Sequence, residues 1–373
     1  MTICIVSGAR PQFVKVAPLI RVFNEVDLEV YHIHTGQHYD HEMSKSFFED
    51  LQIPPPQSNL GVGSGSHAVQ TAKMMEGLEK EFVKVQPDCV IVIGDTNSTL
   101  AAGVTAVKMN IPVVHLEAGM RSHDWSMPEE INRIVVDRIS SFLITSTKEA
   151  VHNLLAEGYQ RDKILLTGDI MVDSLYFANS QEVTFSFSPP EDYFLATLHR
   201  QANVDNKEKL QNAMQIFQDA PLPVLLPLHP RTKQRIEDFD LPSLDDYYDN
   251  IVVLPPLGYL EFIKLQANAT GIITDSGGIQ KEAFILKVPC VTLRSTTEWI
   301  ESIELGANKL LDVDYDMVIK AMHEMVNGTF VVTQDHPYGK GDAAKIIVNE
   351  ISTRLRQGLI KVDPNIAYPD NIQ

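Results

Sequence analysis

Short apolar runs that end in small or polar residues recur along the whole chain. TICIVSG, EVYHIHTG, CVIVIGD, PVVHLEAG, FLITS and KILLTGD predict buried β-strands. Stretches of helical period separate most of them, among them HAVQTAKMMEGLEKEFVKV and TLAAGVTAVKMN. Strands alternating with helices predict right-handed βαβ units and a parallel sheet. The rhythm lapses between Leu175 and Pro190, in a stretch that carries a proline pair and reads as a linker. A second series then begins: YFLATLHR, PVLLPLHP, NIVVLPPL, TGIITDSGG and PCVTLRS. The expected architecture is therefore α/β, with two Rossmann-like, doubly wound domains facing a cleft. The N-terminal domain is expected over residues 1–175, a linker over 176–190 and the C-terminal domain over 191–345. A final helix and tail are expected over 346–373, the helix packing on either half. Ligands of such sheets bind at the carboxyl ends of the strands.

Composition narrows the class. A chain of 373 residues with 44% hydrophobic and 21% charged residues is an ordinary globular protein of about two domains. No apolar run reaches the ~18 residues of a membrane span, and MTICIVSGARPQF enters strand-like sequence with no signal-peptide pattern. Cys4, Cys89 and Cys290 all lie in apolar runs and read as core thiols. Together these features predict a cytoplasmic protein that binds neither membrane nor nucleic acid. The net charge of −18 supports this and requires any anionic ligand to be held by local cations and helix N-termini.

Candidate chemistry gathers where strands end. SGARPQFVK places Arg10 and Lys15 at the first turn and its helix, an arrangement that suits an anion. Asp95 ends one strand and Glu117 another, and Glu129 opens a helix in SMPEEINR, with Arg133 one turn on. Acids at helix starts are often caps, but acids at two successive strand ends suit proton transfer, one accepting while another donates. In the second half, His199 with Arg200 and His229 with Arg231 end strands in the same way. In TDSGGIQKE, Ser276, Gly277 and Gly278 open a helix whose backbone N–H groups can approach phosphate closely. Glu282, one turn along, is placed to hold vicinal ribose hydroxyls. With no GxGxxG and no Walker lysine, a nucleotide diphosphate fits better than NAD or ATP. VTLRSTTEWIE ends the neighbouring strand with Arg294 and a run of polar groups, as a diphosphate and sugar would require. The cluster His32, His34, His38 and His41 invites a metal, but HExxH is absent and His38 reads better as a loop residue near the ligand.

Taken together, GARPQFVK, TGQHYDHEM, GDTNSTLA, HLEAGMRS, MPEEINR, HPRT, DSGGIQKEA and TTEWIE resemble the non-hydrolysing UDP-N-acetylglucosamine 2-epimerases, in order, over roughly residues 3–345. GARPQF and TTEW are similar to a branch that includes UDP-2,3-diacetamido-glucuronic acid 2-epimerases. The resemblance implies a GT-B-like pair of domains, a homodimer, a UDP-amino-sugar substrate, and no metal or redox cofactor. It implies that Arg10, His199, Ser276, Gly277, Gly278 and Glu282 hold UDP, that Phe262 lies near the uracil, and that Lys15 lies near the sugar–phosphate end. Asp95, Glu117, Glu129 and His199 would carry the chemistry. TLHRQAN has Ala202 where the family often has Glu, so no role of that Glu is implied, though His199, Arg200 and Asn203 remain. GQHYDHEM departs from the GQHRE pattern, so substrate activation at a second site is not implied.

The family route removes the C2 proton as UDP leaves C1, giving a 2-acetamidoglycal, and adds UDP back after protonation of the other face. Asp95 is the favoured base. A hydrolysing epimerase shares that intermediate. A GT-B glycosyltransferase shares the architecture but has no need of acids at successive strand ends. A nucleotide-sugar sensor has no need of proton-transfer groups.

Overall fold

A computed structural model of the chain describes residues 1–37, 48–242, 244, 249–330, 332 and 336–362, the side chain of Arg10 excepted. The chain divides into two compact units, Met1–Tyr176 with the segment from Pro337 onward, and Phe177–His336.

The first unit holds a seven-stranded parallel sheet in the order β3-β2-β1-β4-β5-β6-β7. Its strands are β1 (Thr2–Ser7), β2 (Glu29–His34), β3 (Ser58–Asn59), β4 (Cys89–Ile93), β5 (Val113–Leu116), β6 (Phe142–Thr145) and β7 (Ile164–Leu166). The central strands are apolar and buried on both faces because helices cover the sheet, as a parallel sheet requires. Helix α1 is Arg10–Phe23, and α2 (His67–Val85) buries Gln70, Met74, Leu78 and Phe82, one face at four-residue spacing. It stops at Gln86, whose left-handed φ of 50° breaks the helix. Helices α3 (Asn97–Lys108), α4 (Pro128–Ile139), α5 (Lys148–Ala156) and α6 (Ile170–Ser180) follow. Cys4 and Cys89 lie in this core as free thiols.

The second unit holds a six-stranded parallel sheet in the order β10-β9-β8-β11-β12-β13. Its strands are β8 (Phe194–Thr197), β9 (Val224–Pro227), β10 (Ile251–Leu254), β11 (Gly271–Thr274), β12 (Cys290–Thr292) and β13 (Asn308–Leu310). The helices that bear on the site are α7 (Gln201–Val204), α8 (Lys207–Gln218), α9 (Pro230–Asp238), α10 (Tyr259–Asn268) and α11 (Gly277–Leu286). Helices α12 (Ile300–Glu304) and α13 (Tyr315–Val326) complete it. Phe185 and Phe187, in the proline-bearing stretch, pack against this unit's core.

The chain then returns to the first unit. Asp169 N–H donates to Tyr338 O at 2.7 Å, and the Asp173 carboxylate accepts from the N–H groups of Ala343 and Ala344. That caps the last helix, α14 (Ala343–Arg356), which packs on α1. Among the described residues no helix is long and apolar enough to cross a membrane.

Candidate active site

In the first unit, β4 and β5 are neighbours and deliver two acids to one edge. Gly94 follows β4 with φ 65°, its N–H donates to Leu116 O at 2.9 Å, and Asp95 comes next. Thr96, not Asp95, caps α3, accepting from Thr99 N–H. The acid is therefore free of capping duty. Glu117 follows β5, also left-handed at φ 65°. A Cβ on Gly94 would lie 3.2 Å from Glu117 Oε2, so glycine lets this carboxylate lie over the Asp95 turn.

Cations bind both acids. Lys15 Nζ, from α1, is 2.5 Å from Glu117 Oε2. Arg133 Nη2, from α4, is 2.5 Å from Asp95 Oδ2, and its Nη1 is 2.9 Å from Glu130. Asn132 holds the Asp95 carbonyl at 2.8 Å. Burial pushes the Glu130 carboxyl up, but hydrogen bonds from Ser122 and His123, with Arg133 beside it, outweigh this and hold it below its usual value. Glu130 thus fixes the loop before α4, and its neighbour Glu129 faces a cavity of about 460 Å³. Asp95, Gln37, His67, Gln70 and Asn97 share that wall. The structure therefore brings Asp95 and Glu129 to one cavity, with Glu117 and Lys15 joined across Gly94.

Of the histidine cluster, His32 and His34 are core residues. His32 Nε2 meets Ser7 Oγ at 2.8 Å, and burial, with His34 nearby, lowers its pKa to about 3. No group of three or more metal-ligating side chains exists among the described residues. His38 and His41 lie outside those residues.

In the second unit the buried Asp275 organises the ends of β8 and β11. Its carboxylate accepts from His199 N–H at 3.0 Å, Arg200 N–H at 2.9 Å and Asn203 Nδ2 at 3.2 Å. His199 Nδ1 also lies 3.2 Å from it, so Nε2 is the nitrogen left to exchange a proton. Burial lowers the pKa of His199; Asp275 opposes the shift, while His229, with ring centroids 5.5 Å apart, and Arg200 add to it.

At the SGG turn, a Cβ on Gly278 would meet nothing within 4 Å, so the N-terminus of α11 opens onto free space. A Cβ on Gly277 would lie 2.0 Å from Glu298 Oε1. Glu298 is drawn there by Arg294 at 3.0 Å and lies 4.0 Å from Arg200. The polar strand end thus collects an anion on two arginines beside free helix N–H groups, and Thr297 is tied to Gln280 at 2.6 Å. Ser276 precedes α11 with its N–H bonded to Thr274 Oγ1. Glu282 accepts from Gln266 Nε2 at 2.7 Å. Burial pushes its carboxyl up to about 7, although Gln266 and Lys281 lower it. Two further expected ligand groups also have protein partners: Arg231 is paired with Asp205 at 2.6 Å, and exposed His229 accepts Arg231 N–H as the cap of α9. Phe262 packs half-buried on the core of this unit.

A family model for UDP-N-acetylglucosamine 2-epimerase matches residues 21–352. The chain belongs to that family. It is 44% identical to the UDP-N-acetylglucosamine 2-epimerase of Methanocaldococcus jannaschii over 93% of this chain and 98% of that one. A solved structure of the M. jannaschii enzyme in complex with UDP-GlcNAc and UDP matches with a TM-score of 0.77 at 42% identity, over 95% of this chain and 100% of that one. The UDP-2,3-diacetamido-2,3-dideoxy-D-glucuronate 2-epimerase of Pseudomonas aeruginosa is 39% identical over 94% of this chain and 99% of that one. Members of the family are isomerases, and the α/β fold of two doubly wound units agrees with the expectation from sequence. Sequence reasoning missed Asp275 and Gln266 as organising groups. Asp275 ends a strand as Asp95 does, but the partners it organises lie 72 to 76 positions away in sequence, and a Gln within a helix carries no signal until its partner is known.

Proposed function

We propose that this chain interconverts UDP-N-acetylglucosamine and UDP-N-acetylmannosamine. The observation that supports this most directly is the pair of acids at successive strand ends, Asp95 and Glu117, in a member of this family. One acid takes the C2 proton. The C–H electron pair becomes the C1–C2 double bond as the C1–O bond breaks and UDP departs. Reversal with a proton delivered to the opposite face of C2 gives the epimer, so two proton-transfer groups are needed. Asp95 serves as base, with Glu117, Glu129 and His199 completing the set. Arg10, His199, Ser276, Gly277, Gly278 and Glu282 hold UDP, Lys15 lies near the sugar–phosphate end, Arg200, Arg294 and Arg133 supply positive charge, and Phe262 lies towards the uracil. Cations at the departing diphosphate stabilise charge that develops in the transition state.

Two further points extend the reading. Exposed Trp125, Met127, Ile131 and Val135, at and before α4, offer an apolar face for a homodimer, which light scattering after gel filtration tests. The three buried free thiols fit a reducing, cytoplasmic setting.

Proton NMR in D₂O tests the reaction. With UDP-N-acetylglucosamine, the C2 proton signal is expected to disappear as the manno isomer forms, still attached to UDP. Free sugar would replace this reading with the hydrolysing one. The 39% identity to the diacetamido-glucuronate enzyme supports a second substrate. Exchange only with that compound would move the assignment there.

A further inference from the structure

A buried ion network lies behind the two strand-end acids, and the reaction outlined above makes no direct use of it. His115 is in β5 and is fully buried. Its Nδ1 is 2.7 Å from Asp137 Oδ1, and its Nε2 is 2.8 Å from the carbonyl oxygen of Gly94, the residue before Asp95. Asp137, in α4, is equally buried. Its other oxygen accepts Gly119 N–H at 3.0 Å and lies 2.7 Å from Arg121 Nη1. Arg121 also donates from Nε and Nη2 to both oxygens of Glu157, each at 2.7 Å. Burial alone would lower the pKa of Arg121, but Glu157 and Asp137 more than reverse this.

Both ring nitrogens of His115 face groups that only accept. A carbonyl oxygen has no hydrogen to give, so the contact with Gly94 requires one on Nε2. A buried charge that is paired and hydrogen-bonded is tolerated where an isolated one is not.

The network's contacts fall on both acid-bearing turns. Gly94, Glu117 and Gly119 all have positive φ, 65°, 65° and 79°. Glu117 holds its conformation without the freedom of glycine, so the surrounding structure must impose it. His115 fixes the Gly94 carbonyl on one side, and Asp137 fixes the Gly119 N–H on the other.

We infer that His115 and Asp137 are positioning residues that hold the turns bearing Asp95 and Glu117 in register for proton transfer. The inference rests on the proposed roles of those two acids. Neither residue touches the substrate; both act through the backbone of the acids.

Two substitutions separate the contacts. His115→Asn keeps a donor near Asp137 but falls short of Gly94 O, and His115→Gln reaches towards Gly94 O but gives up Asp137. Each is expected to lower kcat for C2-proton exchange by on the order of 100-fold, the cost of misplacing a reacting group by about 1 Å. UDP affinity, measured by calorimetry on the same preparations, should stay within about twofold of the native value. Native kcat in both variants, or a parallel loss of kcat and UDP affinity, overturns the inference. The native protein gives an independent test. Its ¹⁵N spectrum should show a hydrogen on Nε2 of His115, the nitrogen that faces Gly94 O, and a bare Nε2 overturns the inference whether or not a variant folds. That spectrum stands even if the native chain fails to exchange the C2 proton of UDP-N-acetylglucosamine. Such a failure would sink the substrate assignment alone.

Discussion

The proposed role of Glu282 makes nucleotide binding depend on pH in a direction that can be worked out. Its carboxyl is pushed up from 4.5 to about 7, burial being the largest cause, while Gln266 and Lys281 act the other way. In the proposed binding mode this carboxyl accepts hydrogen bonds from the two ribose hydroxyls, which favours its ionised form. Binding-competent protein is then the ionised fraction, about one tenth at pH 6 and nine tenths at pH 8, and apparent affinity scales with that fraction. UDP should bind roughly ten times more tightly at pH 8 than at pH 6, a difference of about 1.4 kcal/mol. The sign for folding is opposite. A carboxyl whose folded pKa lies above the unfolded one contributes stability below about 4.5 and loses it as pH rises through 7.

The diphosphate also titrates near pH 6, as phosphate esters do, so UDP alone is an ambiguous probe. Calorimetric titration with UDP and with its 2′,3′-dideoxy analogue removes the ambiguity, because both carry the same diphosphate. The ratio of the two affinities should rise about tenfold between pH 6 and pH 8. In Glu282→Gln the ratio should no longer change with pH. A ratio that is flat in the native protein, or one that falls as pH rises, refutes the argument that this carboxylate accepts from the ribose.

Two further substitutions test the first unit. Arg133→Met leaves Asp95 without its 2.5 Å partner and the buried Glu130 without a cation, though Ser122 and His123 still donate to Glu130. The expected cost is about 3 kcal/mol by denaturant unfolding, with C2-proton exchange at least about tenfold slower; native stability and rate would show the ion pair to be incidental. Gly119→Ala places a methyl group 2.4 Å from Ala150 O at a φ of 79°. Crowding of roughly 1–3 kcal/mol adds to about 1 kcal/mol for the left-handed backbone, and a thermal midpoint unchanged from the native protein would contradict both terms.

The strands that sequence alone revealed are those whose burial produces an apolar run, as CVIVI and VVHL do at the centre of the first sheet. Ser58–Asn59 and Asn308–Leu310 escaped because they are short sheet-edge strands held by backbone pairing, mostly polar and with no apolar run to read. The acids were legible for a related reason. In a parallel sheet the carboxyl end of every strand lies on one edge, so chain position alone places Asp95 and Glu117 together. Their partners were not legible. Arg133 meets Asp95 across 38 positions of sequence and Arg231 meets Asp205 across 26. Both pairings depend on the rotation of a helix about its axis, which local pattern does not report.

Histidines in strands show the limit most clearly. His32, His34 and His115 each sit in an apolar run and each is buried. The structure puts all three in the core, whereas the sequence offered His32 and His34 as part of a cluster inviting a metal, singled out nothing at His115, and gave no sign of what separates them. His32 meets the Ser7 hydroxyl and the rings of Phe13 and Phe48. With no carboxylate among these contacts to offset desolvation, the neutral ring is favoured and the pKa falls to about 3. His115 meets a carboxylate on one side and a carbonyl on the other, and the carbonyl contact requires a hydrogen on Nε2. The difference comes from Asp137, 22 positions later on the helix that packs over the strand. A strand histidine in this fold therefore becomes either inert packing or a positioning residue according to a residue on another element.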